Sequence, residues 1–243
     1  MPKLTRAQIE QNYDTLRYCL DALTLFWGQM GAGKTTNAVA MAHWMHVLFE
    51  LPVISVGTTI GLTPAFGPHQ HMPIKEFVQQ LLLISKLSDE ILAEGIPEEN
   101  IPAYLQWCKE NKGLKLYRCL VLVDEMYKQC DARRSSNPLN LAFLNFIAQM
   151  RHYHCTMIGM TPHPANVDRR VREQIRWLCK PDLDPETKIY TLRFKGPQGS
   201  LTMAVHGPDY AGKYPGDPAG MFNSWAFTGF NAKGLEKVLA KDV

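Results

Sequence analysis

Residues Gly28-Gln29-Met30-Gly31-Ala32-Gly33-Lys34-Thr35 follow the pattern G-x-x-x-x-G-K-[ST], and their flanks constrain the chain more than any other segment. Leu23-Thr24-Leu25-Phe26-Trp27 reads as a short buried strand, and Thr36 to Phe49 reads as a helix. A strand, a glycine-rich turn and a helix N-terminus together form a phosphate-binding loop, or P-loop. Gly28, Gly31 and Gly33 permit a tight turn that brings backbone N–H groups towards phosphate oxygens. The helix start adds free donors and the positive end of its dipole. Lys34 is placed to reach the β- and γ-phosphates, and the Thr35 hydroxyl to ligate Mg²⁺. Gln29, Met30, Ala32 and Thr36 complete the expected nucleotide-binding stretch, with ATP and Mg²⁺ as the expected cofactors.

A second pattern narrows the chemistry. Cys119-Leu120-Val121-Leu122-Val123 is a continuous apolar run, as expected of a parallel strand buried on both faces. It ends in Asp124-Glu125, which is the Walker B arrangement. Asp124 is expected to hold Mg²⁺, directly or through water, and Glu125 to polarise the water that attacks the γ-phosphate. Nucleotide kinases and small GTPase switches usually lack the second acid, so the pair favours hydrolysis of ATP by water.

One helix later, Cys155-Thr156-Met157-Ile158-Gly159-Met160 reads as another central strand, ending at Thr161. In ATPases with an Asp-Glu pair, an added strand separates the P-loop and Walker B strands and carries a polar sensor at its end. Thr161 and His163 are the candidates for that sensor. The stretch Asn166 to Glu173 brings Arg169, Arg170 and Arg172. They suit an arginine finger supplied to a neighbouring subunit, a DNA grip, or a solvated helix face. Arg133 and Arg134, just after Walker B, have equal standing for the first two roles.

Composition excludes several classes. The 243 residues are 46% hydrophobic and 20% charged, enough for one large α/β domain. The net charge of +3 names no partner, but its distribution does. From Lys128 to Lys180 nine basic residues face three acidic ones, which concentrates positive charge where a polyanion would be held. Six scattered cysteines without a C-x-x-C pair fit a reducing compartment rather than a disulfide framework. The histidine pairs His43/His46, His69/His71 and His152/His154 lack a recognised zinc spacing, so no zinc is expected. No signal-peptide order and no run of about eighteen apolar residues is seen, which points to a soluble, intracellular protein.

Along the chain, Leu4 to Leu20 has helical apolar spacing, Pro52 to Val56 reads as a second strand, and Gly57 to Pro73 as an exposed loop. Ile74 to Ala93 is expected to be a long helix and Leu139 to Met150 a buried one. Shorter strands are expected at Ile175–Leu178, Lys188–Phe194 and Ser200–Val205, the last two as a hairpin across Gly196 to Gly199. Glycine and proline dominate Gly207 to Gly220, read as an extended arm before a short helix near Ala232 to Ala240. The expected organisation is an ATPase domain over residues 1–206, with its leading helix in 1–22, and an arm over 207–243.

With these motifs in order, the chain resembles the FtsK–HerA superfamily of DNA-pumping ATPases. In size it is most similar to the compact genome-packaging ATPases of membrane-containing and double-jelly-roll viruses. The resemblance covers roughly Leu23 to Leu178 and rests on Gly28–Thr35, Asp124-Glu125 and the stretch Met157 to Glu173. One departure is visible: that group often has Thr-Gln at the end of the sensor strand, whereas Pro162 follows Thr161. The resemblance implies an α/β P-loop NTPase fold of the RecA/ASCE-like kind, a mostly parallel central sheet flanked by helices with a C-terminal hairpin and arm. It also implies a homo-oligomeric ring, a hexamer in that group, threading double-stranded DNA, with capsid-vertex or membrane proteins as further partners. The expected location is the host cytoplasm and, in association, the virion. Terminase-type packaging motors share both motifs but usually append a nuclease domain, and filamentous-phage assembly ATPases (the zonula-occludens-toxin-like group) usually add a membrane span. Outside DNA pumping, two readings remain: a P-loop phosphotransferase acting on a small metabolite, and a nucleotide-binding assembly protein without turnover.

Overall fold

A computed structural model of the chain describes residues 5–57, 61–62, 66–91, 115–130, 138–206 and 222–223, with isolated positions 102, 106, 109 and 110. In chain order the elements are α1 (Arg6–Tyr18), β1 (Leu23–Trp27), α2 (Lys34–Phe49), β2 (Val53–Val56), β3 (Gly61–Leu62), β4 (His69–Met72) and α3 (Ile74–Ile91). There follow β5 (Leu120–Val123), α4 (Met126–Gln129), α5 (Pro138–Gln149), β6 (Thr156–Thr161) and α6 (Arg169–Gln174). The last described strands are β7 (Ile175–Leu183), β8 (Ile189–Gly196), β9 (Gly199–His206) and β10 (Phe222–Asn223).

Eight strands form one sheet in the order β4-β2-β5-β6-β1-β7-β8-β9. The first six run parallel, and β7, β8 and β9 continue as an antiparallel meander. The side-chain alternation of each strand divides the core into two layers. Leu120 and Leu122 of β5 face α1 and α2, while Val121 and Val123 face α3, α5 and α6. The continuous apolar strands recognised in the sequence are therefore the buried middle of a three-layer sandwich. Hydrophobicity on both faces is what a central strand with helices above and below requires.

The N-terminal helix is built in by its polar residues as much as its apolar ones. Thr5 and Gln8 form a capping box, with Gln8 N–H donating to the Thr5 hydroxyl at 3.3 Å and Thr5 N–H donating to Gln8 Oε1 at 2.8 Å. One turn further, the Asn12 amide donates to Ala204 O and accepts from Ala204 N, both at 2.8 Å. Thr15 Oγ1 donates to Thr202 O at 2.9 Å. These side chains occupy backbone groups on the outer edge of β9 that would otherwise face water or another strand.

One expectation is corrected. The stretch Gly57 to Pro73 is not simply an exposed loop: β4 pairs in parallel with β2, from Val53↔His69 to Val56↔Met72, and Phe66 and Met72 are buried. The composition His-Gln-His-Met hides this strand because an edge strand is held by backbone pairing and only Met72 needs to reach the core. Phe66 is enclosed by the rings of His43, His46 and His69, at centroid distances of 5.5, 6.0 and 5.9 Å. The strands expected after residue 174 are also longer than anticipated, and their hairpin extends the central sheet. The arm 207–220, the helix near 232–240 and the Arg133–Arg134 loop lie outside the described residues.

Candidate nucleotide site at the carboxyl edge of the sheet

Ligand crevices in open α/β sheets form at the carboxyl ends of the parallel strands, and the sequence motifs converge there. The loop from Gly28 to Gly33 leaves the end of β1 and enters α2 with Gly33 as its N-cap. Gly33 has φ 77° and no side-chain capping bond, so the first-turn N–H groups have no partner within the helix. The first backbone bond of the helix is Asn37 N–H to Gly33 O at 3.0 Å. A side chain at Gly33 is blocked twice: by the left-handed backbone and by Tyr190, whose hydroxyl lies 2.5 Å from where a Cβ would stand. Gly28 (φ 144°) and Gly31 (φ 81°) complete the turn.

Lys34 folds back over the loop, its Nζ donating to Gly28 O and Gln29 O, both at 2.9 Å. Burial pulls its pKa below the ordinary lysine value, while the charge of Asp124 opposes that shift. Lysine and aspartate thus sense each other across the site. The Gly28 N–H donates to Pro162 O at 3.3 Å, tying the P-loop to the segment that follows β6. Met30 at the tip is 99% exposed. Thr35 and Thr36 lie half-buried on the first turn of α2, on the site's side of the sheet.

Asp124 and Glu125 stand at the end of β5, with β6 between β5 and β1. The intervening strand expected from the sequence is therefore present. Asp124 N–H is bonded to Val56 O at 3.4 Å, and Glu125 N–H to Asp124 Oδ1 at 2.9 Å. Glu125 has φ 47°, a left-handed conformation that is uncommon for a residue with a side chain. Its carboxylate is occupied: Lys128 pairs with Oε2, and the Tyr127 hydroxyl donates to Oε1 at 3.4 Å. The glutamate beside the P-loop is held by its own helix α4.

The remaining sequence candidates are placed less directly. Thr161 ends β6 opposite Trp27 in register, is 1% exposed, and donates its hydroxyl to His163 O at 3.1 Å. The His163 ring caps a short 3₁₀ turn by accepting from Ala165 N–H and meets Trp27 edge-on at 6.1 Å. Lys180 of β7 lies over the Trp27 ring at 5.5 Å. On α6, Arg169 Nε pairs with Glu173 at 2.8 Å and Arg170 Nε with Asp168 at 3.1 Å. Asp168 is buried, and its hydrogen bond from Arg170 holds its pKa below the usual carboxylate value. Arg172 is exposed and has no ion pair among the described residues. No group of three or more His, Cys, Asp or Glu side chains is positioned for a metal among the described residues.

Lys128, Tyr127, Tyr190 and the Pro162 carbonyl were not anticipated as part of this site. Lys128 carried a local signal, three residues after Glu125 on one helix face. Tyr127 is equally local, two residues after Glu125, whereas Tyr190 and the Pro162 carbonyl arrive through tertiary packing.

A phosphate-binding loop at the end of β1, acids at the end of β5 and a separating strand define a P-loop NTPase. The family model described as "ATPase family associated with various cellular activities (AAA)" matches residues 24–178, and the chain belongs to that family of P-loop ATPases. No match was found among curated protein sequences. Among solved structures, the conjugation coupling protein TcpA of pCW3, in its monomer form with ATPγS, is 14% identical with a TM-score of 0.51. That comparison covers 82% of this chain and 64% of TcpA. The N-terminal domain of zonular occludens toxin from Neisseria meningitidis is 16% identical over 79% of this chain and 96% of that one, with a TM-score of 0.46. The genome-packaging NTPase B204 of Sulfolobus turreted icosahedral virus 2 is 9% identical over 77% and 98%, with a TM-score of 0.45. The TcpA likeness supports the fold. No described helix is long and apolar enough to cross a membrane.

Proposed function

We propose that the protein is an ATP-hydrolysing motor that moves double-stranded DNA, acting in genome packaging as a homo-oligomeric ring. The observation that carries hydrolysis is Asp124-Glu125 at the end of β5, one strand removed from the P-loop strand. In this reading the free N–H groups of the P-loop and Lys34 hold the phosphates, and Thr35 and Asp124 hold Mg²⁺. The metal would neutralise charge developing on the transferred phosphoryl group. Glu125 orients water once its carboxylate leaves Lys128 and Tyr127. Thr161 is the sensor, but its hydroxyl has first to leave His163 O. Arg169 and Arg170 reach a neighbouring subunit only by opening their pairs with Glu173 and Asp168.

The DNA assignment is supported by the sequence resemblance and by the basic excess between Lys128 and Lys180. Steady-state ATP hydrolysis, with and without linear double-stranded DNA at low salt and high protein concentration, tests it. DNA should stimulate turnover, and Glu125→Gln should lower it by about 10²–10⁴-fold, the usual loss for a general base. Wild-type turnover in Glu125→Gln would sink the hydrolytic assignment. A specific observation favours a second reading, nucleotide-driven assembly without turnover: the Glu125 carboxylate is tied by two neighbours. Tight ATP binding with negligible hydrolysis, even with DNA present, would establish that alternative.

A further inference from the structure

Helix α2 buries its residues from Asn37 to Ala42 completely, each at 0% exposure, and Asn37 is the one polar side chain among them. An amide at that position is unfavourable twice over. Asparagine is a poor residue for a helix interior, and this side chain is only half satisfied. Its Nδ2 donates to Gly33 O at 2.8 Å, while its Oδ1 is buried and has no hydrogen-bond partner among the described residues. Turning the amide over would bring two oxygens face to face, so the site dictates this orientation. A buried acceptor left unpaired lowers stability, and leucine, with the same branched outline, would fill the position without that penalty. The residue therefore calls for a reason outside the core.

The group that it holds supplies that reason. Gly33 is the N-cap of α2, and its carbonyl already accepts the first helical bond, from Asn37 N–H at 3.0 Å. The Asn37 side chain adds a second donor to the same oxygen, so one residue grips it twice. The Gly33 Cα is packed as well: Tyr190 of β8, 5% exposed, lies with its hydroxyl 2.5 Å from where a Cβ would stand. The peptide joining Gly33 to Lys34 is trans and planar, so its C=O and N–H point in opposite directions. With the oxygen fixed towards Asn37, the Lys34 N–H points out of the helix start, where the helix has no partner for it. That donor is among those that a P-loop offers to phosphate.

We propose that Asn37 is a positioning residue for phosphate binding: through the Gly33 carbonyl it aims the Lys34 N–H at the phosphates of the nucleotide. The proposal rests on nucleotide binding at the P-loop, and on neither hydrolysis nor DNA. Binding of Mg–ATPγS and of inorganic tripolyphosphate to the full chain is measured by calorimetry, alongside urea unfolding midpoints. Asn37→Leu should weaken both ligands by about tenfold, the scale of one charged hydrogen bond lost. An equal loss for the two places the defect in phosphate holding, since tripolyphosphate has no base or sugar. The unfolding midpoint of the same variant should match or exceed that of the wild type, because the unpaired oxygen is gone. A residue that only supported the helix would show the reverse, a lower midpoint with unchanged affinity, and that result overturns the proposal. So does a loss confined to Mg–ATPγS. If Asn37→Leu does not fold, Asn37→Ala removes the same grip with a good helix former and should show the same loss of affinity. A wild type that binds neither ligand would remove the nucleotide assignment itself, whereas wild-type affinity in the variants removes this proposal alone.

Discussion

At the scale of single residues, the site is governed by what its charged groups hold. Lys34 rests on loop carbonyls, and Glu125 rests on Lys128. Both contacts must break for the proposed reaction, so both add to the work of reaching it. The Lys128–Glu125 pair is partly exposed, with side chains 52% and 32% accessible. Pairs of this kind contribute about 0.2–1 kcal/mol. Lys128→Met should therefore raise DNA-independent turnover by about two- to fivefold, measured as steady-state phosphate release. An unchanged basal rate would mean that the pair opens at no cost to catalysis. Gly33 and Glu125, both left-handed, differ in a useful way. Gly33 was readable from the motif, since a glycine is demanded there. The Glu125 conformation was not, because nothing in Asp-Glu-Met announces a positive φ.

At the scale of elements, the sheet's two outer strands are held by different means. On one side, α1 lays polar side chains along β9. Asn12→Ala removes two part-buried backbone hydrogen bonds at once and should cost about 1–3 kcal/mol, read from the urea unfolding midpoint. On the other side, β4 is joined to the end of α2 through Phe66 and its histidines. Burial lowers the pKa of His43; the Phe66 carbonyl opposes that shift, and neighbouring His46 adds to it. Burial, and then the charge of His69, also lowers His71. Histidines with depressed values bind fewer protons folded than unfolded. Their contribution to stability is full above the unfolded value near 6.5 and declines as pH falls below it. Urea midpoints at pH 7.5 and 5.0 should show that loss, and His43→Phe should make it smaller. The inner strands β1, β5 and β6 were legible because burial on both faces leaves an unbroken apolar run. The outer strand β4 was not, because its pairing is made by the backbone and its rings pack across sequence.

At the scale of the whole molecule, positive charge on the sequence and positive charge available to a polyanion are different quantities. Arg169 and Arg170 are spent on Glu173 and Asp168, while Arg172 remains exposed and unpaired among the described residues. If α6 meets DNA phosphates, Arg172→Gln should reduce the slope of log affinity against log salt by about one unit. Arg169→Gln should reduce it by less, since its guanidinium is already shared with Glu173. Filter binding or anisotropy across a salt series measures both. A slope unchanged in Arg172→Gln would return α6 to an ordinary solvated helix.

Trp27, one residue upstream of Gly28, is clasped between the Lys180 ammonium and the edge of the His163 ring. That clasp equips the protein with a native fluorophore at the threshold of its own P-loop. Emission from an indole responds to nearby charge and proton state, so any shift of Lys180 or His163 against Trp27 would register in the protein's intrinsic spectrum. With the other four of its five tryptophans changed to phenylalanine, the remaining signal would time the first step of the cycle without any attached dye.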